Sequence, residues 1–110
     1  MNIINLTPHD IHICNADGVV IRTIVRSGNQ ARCAVNNVEA GEADGIPLVI
    51  TQFGEVSGLP EAQQETLYLV SLLVRQAFPH RQDIASPGDM AHTANGQIVG
   101  CKNLAVNPTA

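Results

Sequence analysis

Residues 66–79, Thr-Leu-Tyr-Leu-Val-Ser-Leu-Leu-Val-Arg-Gln-Ala-Phe-Pro, constrain the fold more than any other part of the chain. The unbroken apolar run 67–70 reads as a buried strand that stops at Ser71 and passes directly into a short helix. Pro79 ends that helix because it has no amide hydrogen to donate and its ring crowds the preceding turn. Ser71 falls at the N-cap, where free backbone N–H groups and the positive end of the helix dipole favour a phosphate or carboxylate. A serine at this position more commonly does no more than cap its helix, so the anion site and the plain cap are both open.

Turn residues divide the rest of the chain. Residues 3–6 and 11–14 flank the break Thr7-Pro8-His9, Asn15-Ala16-Asp17-Gly18 turns into 19–25, and Ser27-Gly28-Asn29 reverses again, which predicts a β meander. Alternation agrees, since Ile11, Ile13, Val19 and Ile21 fall on one face and His12, Cys14, Val20 and Arg22 on the other. Residues 31–38 and 46–53 predict two more strands around the acidic, glycine-containing segment 39–45, read as a solvated hairpin tip. Residues 54–64 form a polar connection, and 81–89 a loop. Asn95-Gly96 predicts a type I′ turn between 90–94 and 97–101. The tail 104–110 carries few structural signals and is expected to fray. The predicted class is α+β: one domain over 1–110, with a mainly antiparallel sheet of short strands and one principal helix.

A chain of 110 residues buries a limited core, so a homo-oligomer is the expected way to bury more. Aromatics make up only 3% of it, which leaves Ile, Val, Leu and Ala to build the interior. A net charge of -4 disfavours the phosphate tracking of DNA or RNA binding but leaves room for a few arginines to converge on a small phosphate-bearing ligand. Three cysteines without a Cys-x-x-Cys spacing indicate neither a disulfide framework nor a zinc knuckle and fit a reduced, cytoplasmic setting. No run reaches the ~18 apolar residues of a membrane span, and no basic-then-apolar leader opens the sequence. No cofactor or metal is expected: His12 and Cys14 share a strand face, but scattered histidines make a poor ligand set.

Several side chains besides Ser71 are candidates for one site, each with a duller alternative. Thr7 and His9 lie at a bend, where the commoner reading is a turn in which Thr7 and Asp10 bond the local backbone. Arg32 interrupts a strand of small residues and is either solvent-facing or a bidentate phosphate partner. Phe53, followed by Gly54, is a stacking platform for a base or a core residue. Arg81 and Asp83 follow the helix and form either a ligand clamp or an ion pair that fixes the loop. Ser71 and Arg81 sit at opposite ends of the helix, roughly 12 Å apart at 1.5 Å per residue, so a shared pocket requires the loop to fold back or a second subunit. Nucleophile-elbow and zinc-protease motifs are absent.

The segments Asn5-Leu6-Thr7-Pro8-His9, Gly58-Leu59-Pro60-Glu61, Leu67-Tyr68-Leu69-Val70-Ser71 and Gly96-Gln97-Ile98-Val99-Gly100-Cys101 together resemble small phage- and prophage-encoded proteins, over nearly the whole chain. By analogy of size, origin and site chemistry, the resemblance implies an anti-defence sponge that sequesters a cyclic nucleotide or cyclic ADP-ribose isomer and so silences Thoeris or CBASS signalling. It transfers no functional residue. The rival expectations are a signal-degrading phosphodiesterase using His9 with Asp10 or Asp83, and a protein-binding or virion component.

Overall fold

The structure, a computed structural model, describes residues 1–108. Its elements run β1 (Asn2–Asn5), β2 (Ile11–Cys14), β3 (Val20–Ile24), β4 (Arg32–Ala43), β5 (Ile46–Ser57), β6 (Thr66–Leu69), α1 (Leu72–Ala77), β7 (Ile84–Pro87), β8 (Met90–His92), β9 (Ile98–Cys101) and β10 (Leu104–Val106). Most of the chain is strand and α1 is the single helix among the described residues, which is compatible with an α+β class.

The sheets are mixed, which corrects the expectation of a mainly antiparallel one. In the first sheet, ordered β1-β6-β7-β10, β6 runs parallel to both β1 and β7, and β10 is antiparallel to β7. In the second, ordered β3-β2-β9-β8, antiparallel hairpins flank a parallel β2/β9 centre. A helical crossover from β6 through α1 makes β7 a parallel neighbour, and parallel pairing leaves no turn signature in the sequence. For the same reason the expected meander is only half present. β2 and β3 do form a hairpin, but β1 pairs with β6 in the register Asn2↔Thr66 to Asn5↔Leu69.

The strand-to-helix junction forms as expected. Ser71 is the N-cap, its hydroxyl accepting from Val74 N at 3.3 Å. Val74 faces inward and packs with Leu6, Ala31, Tyr68, Val70 and Ile84 in the core, each such large apolar side chain contributing about 1.5–3 kcal/mol by leaving water. Leu69, next to Tyr68 and Val70, is equally buried and faces the opposite side of its strand. β7 lies inside the segment expected to be a loop, with Ile84, Ala85 and Ser86 fully buried. The tail also departs from expectation. Leu104–Val106 pairs with β7, and Asn107 is buried with its Nδ2 donating to the carbonyls of Phe78 and Arg81 at 2.8 Å each, closing the end of α1; residues 109–110 lie outside the described residues.

The turns differ in type from expectation. Gly96 takes φ +86° and donates to Thr93 O at 3.0 Å while Asn95 keeps a negative φ, giving a type I turn closed by a glycine bulge instead of a type I′ turn. The type I′ geometry occurs at Asp44-Gly45, with φ of 51° and 77°, at the end of a ribbon far longer than expected. Most of the acidic segment read as a solvated tip continues the β4/β5 ladder. Only the root of this arm, the Cys33↔Val56 pair, packs against the core. The arm raises the radius of gyration to 16.4 Å, against about 13 Å for a compact chain of this length.

Candidate functional site: a cleft beside the parallel strands

Segment 27–31 runs along the free side of β1, held by Ser27 N donating to Asn5 O at 2.9 Å and Ala31 N to Leu6 O at 3.0 Å. Opposite it, the chain leaving β5 comes close at Gly58. This residue has φ +80°, and a Cβ there would lie 2.1 Å from Gln30 O, so only glycine fits. Between these segments lies a cleft of about 390 Å³ lined by apolar Ile4, Leu6 and Tyr68 and by the amides of Asn29, Gln30 and Gln63. Gly58 and Pro60 complete the lining. The Tyr68 hydroxyl donates to Glu61 O at 3.2 Å, which ties the connection before β6 to the sheet.

Two of the expected arginines touch lining residues of this cleft from different segments. Arg32, exposed at the root of the arm, donates from Nε to Gln30 Oε1 at 3.0 Å. Arg81 donates from Nη2 to Pro60 O at 3.0 Å. Its Nε also donates to Asp83 Oδ1 at 2.8 Å, Nη2 reaches Asp83 Oδ2, and the guanidinium lies 6.0 Å from the centre of the Phe78 ring. The bond from Arg81 holds the Asp83 carboxyl below the usual aspartate range, against an opposing effect of burial. Arg81 and Asp83 therefore occupy each other, as in the ion-pair alternative.

The remaining candidates lie elsewhere. Thr7 is buried and its hydroxyl donates to Asn5 Oδ1 at 2.6 Å, with His9 O also within 2.9 Å. Asn5, named in the sequence only as part of the segment Asn5-Leu6-Thr7-Pro8-His9, is the hub of this turn. Its Nδ2 donates to His9 O at 2.8 Å and Ile24 O at 2.9 Å, tying the first sheet to β3 of the second. A lone asparagine inside the apolar run Ile3-Ile4-Asn5-Leu6 was the available signal, because a buried amide must find partners. The His9 side chain is exposed above this knot. Ser71 is exposed, is not among the residues lining the cleft, and heads a helix of 6 residues. Phe53 stands on the arm, 46% exposed and paired with Val35.

Sequence reasoning also missed Arg75, whose Nε donates to the fully buried Ser86 Oγ at 2.8 Å and whose Nη1 donates to Asn107 Oδ1 at 3.2 Å, fastening α1 to β7 and the tail. A second, more apolar groove of about 340 Å³ lies on the second sheet beside the end of β7, with Asp10 and His12 among its polar residues and Met90, Ile98 and Pro87 among its apolar ones. The Asp10 carboxylate is engaged by Arg26 N at 2.9 Å, and His12 Nδ1 lies 2.9 Å from Thr23 Oγ1. Among the described residues no three His, Cys, Asp or Glu side chains gather in ligand geometry. Among the same residues no helix is long and apolar enough to cross a membrane. Comparison with protein-family models, curated proteins and solved structures found no match.

Proposed function

We propose that the chain binds a small phosphate-bearing ligand in the Gln30–Pro60 cleft and holds it without cleaving it. The observation that carries this reading is that Arg32 and Arg81, from distant segments, each bond a residue lining the same cleft. At about 390 Å³ the cleft lies in the ~300–1,000 Å³ range of small-ligand sites. Its lining residues pair an apolar surface for a base with three amides for base or ribose edges, and none of them is a histidine or carboxylate that would serve acid-base turnover. Arg32 uses only Nε on Gln30, so its Nη groups are free for bidentate contact with phosphate. Arg81, neutralised by Asp83, contributes rigidity through its bond to Pro60 O. The biological setting we propose is that of a phage-encoded sponge in the host cytoplasm, sequestering a cyclic nucleotide or cyclic ADP-ribose type of immune signal.

Thermal denaturation with cyclic dinucleotides, cyclic ADP-ribose isomers and mononucleotides tests this reading. A ligand present at about 100 times its Kd stabilises by about 2.7 kcal/mol, a Tm rise on the order of 10 °C for a domain of this size. Arg32→Ala should remove the shift, and heat release should return the ligand intact. No shift with any nucleotide overturns the proposal. Release of a hydrolysed product that depends on His9 would replace it with the phosphodiesterase reading.

A further inference from the structure

The β4–β5 arm is an unfinished structure. Two-stranded ribbons are marginal in water, and this one runs 12 residues per strand, about 40 Å at roughly 3.3 Å per residue, with only its root against the core. One face carries the Val38↔Ile50 pair with Leu48, the other the Val35↔Phe53 pair with Val49, and all six side chains are exposed. Between residues 33 and 57 stand Glu39, Glu42, Asp44 and Glu55 with no lysine or arginine, so the arm carries a net charge equal to the -4 of the whole chain.

One other surface has the complementary character. β3 is an edge strand of the second sheet, and segment 19–26 exposes Val19, Val20, Ile21 and Val25, with Ile21 64% exposed. Arg22 and Arg26 are exposed beside them, and neither guanidinium has a hydrogen-bond or ion-pair partner among the described residues. Edge strands with free backbone groups and apolar side chains are templates for pairing, and the open stretch of this edge is residues 20–23, since Ile24 O accepts from Asn5 Nδ2 and Arg26 is bridged to Asn5. Arm against arm would crowd like charges, whereas arm against β3 matches acid to base and apolar to apolar.

We infer that the arm of one copy docks on the β3 edge of a second copy of this chain, in a reciprocal exchange. The shorter partner sets the contact: segment 19–26 spans about 26 Å at roughly 3.3 Å per residue, so one docked arm face covers about 260 Å² at a ribbon width of about 10 Å. Reciprocal exchange buries one arm face and one β3 patch on each protomer, about 520 Å² per partner, which just clears the ~1,000 Å² total of a specific interface. This assembly goes beyond the small-ligand reading and stands or falls independently of it.

Sedimentation velocity and native mass spectrometry of the full chain test the inference by charge exchange. Wild type should associate at micromolar concentration and loosen as salt rises. Arg22→Glu with Arg26→Glu should weaken association at least roughly tenfold, as should Glu39→Arg with Glu42→Arg. Combining all four changes in one chain should restore association to within about threefold of wild type, a rescue that damage to folding cannot produce. A wild-type chain that is monomeric at about 100 µM overturns the inference. An oligomer insensitive to the β3 reversal overturns it too, since the arm would then sit elsewhere.

Discussion

β6 and β5 are built from the same kinds of residue and meet opposite fates. Leu67-Tyr68-Leu69 sits between β1 and β7 with α1 over one face, and Tyr68 and Leu69 are out of water. Leu48-Val49-Ile50 on β5 is as apolar and lies open on both faces, although its ladder to β4 is much longer. Hydrogen-bonded pairing alone therefore does not bury a strand. Burial requires a second layer, which β6 finds within the chain and β5 does not.

Substitutions in the two regions should separate by an order of magnitude. Tyr68→Ala removes a ring from the closed layer and should lower unfolding free energy by about 3–5 kcal/mol in urea denaturation. Asn5→Ala strips partners from the carbonyls of His9 and Ile24 and should cost about 2 kcal/mol, with loosened protection of β3 amides in hydrogen exchange. Asp83→Asn should cost about 1 kcal/mol near neutral pH. Because Arg81 holds this carboxyl below its ordinary value of 3.8, the pair's contribution is present above that pH and is lost as the pH falls through the lower folded-state value. Wild type and Asp83→Asn should accordingly begin to converge in stability as the pH falls below 3.8 and meet once it has passed the lower folded-state value. Ile50→Ala should change the stability of the isolated protomer by less than about 0.5 kcal/mol, and a loss as large as that of Tyr68→Ala would erase the distinction between the regions.

Legibility followed the range of the interactions. The Ser71 junction, the β2–β3 hairpin and the β8–β9 hairpin were readable because caps and turns are written in adjacent residues. β7 was not, because Ile84-Ala85-Ser86-Pro87 resembles a loop until parallel pairing with β6 supplies its partners. Among the site residues, the local Arg81/Asp83 alternative of an ion pair was visible at a spacing of two. The cleft itself was not, because its amides at 29, 30 and 63 have no pattern in sequence and meet only when Gly58 lets two segments touch.

The amino-acid sequence by itself determined the β-rich class, a short helix with its serine cap, and the two hairpin turns at 15–18 and 95–96. The tertiary structure decided that the sheets are mixed, that a loop-like segment is a buried central strand, and that an acidic tip is the end of a projecting arm. The division is physical: turn and cap preferences act between neighbours along the chain, whereas parallel pairing, layer burial and the bond from Arg81 to the Pro60 carbonyl depend on contacts between residues tens of positions apart.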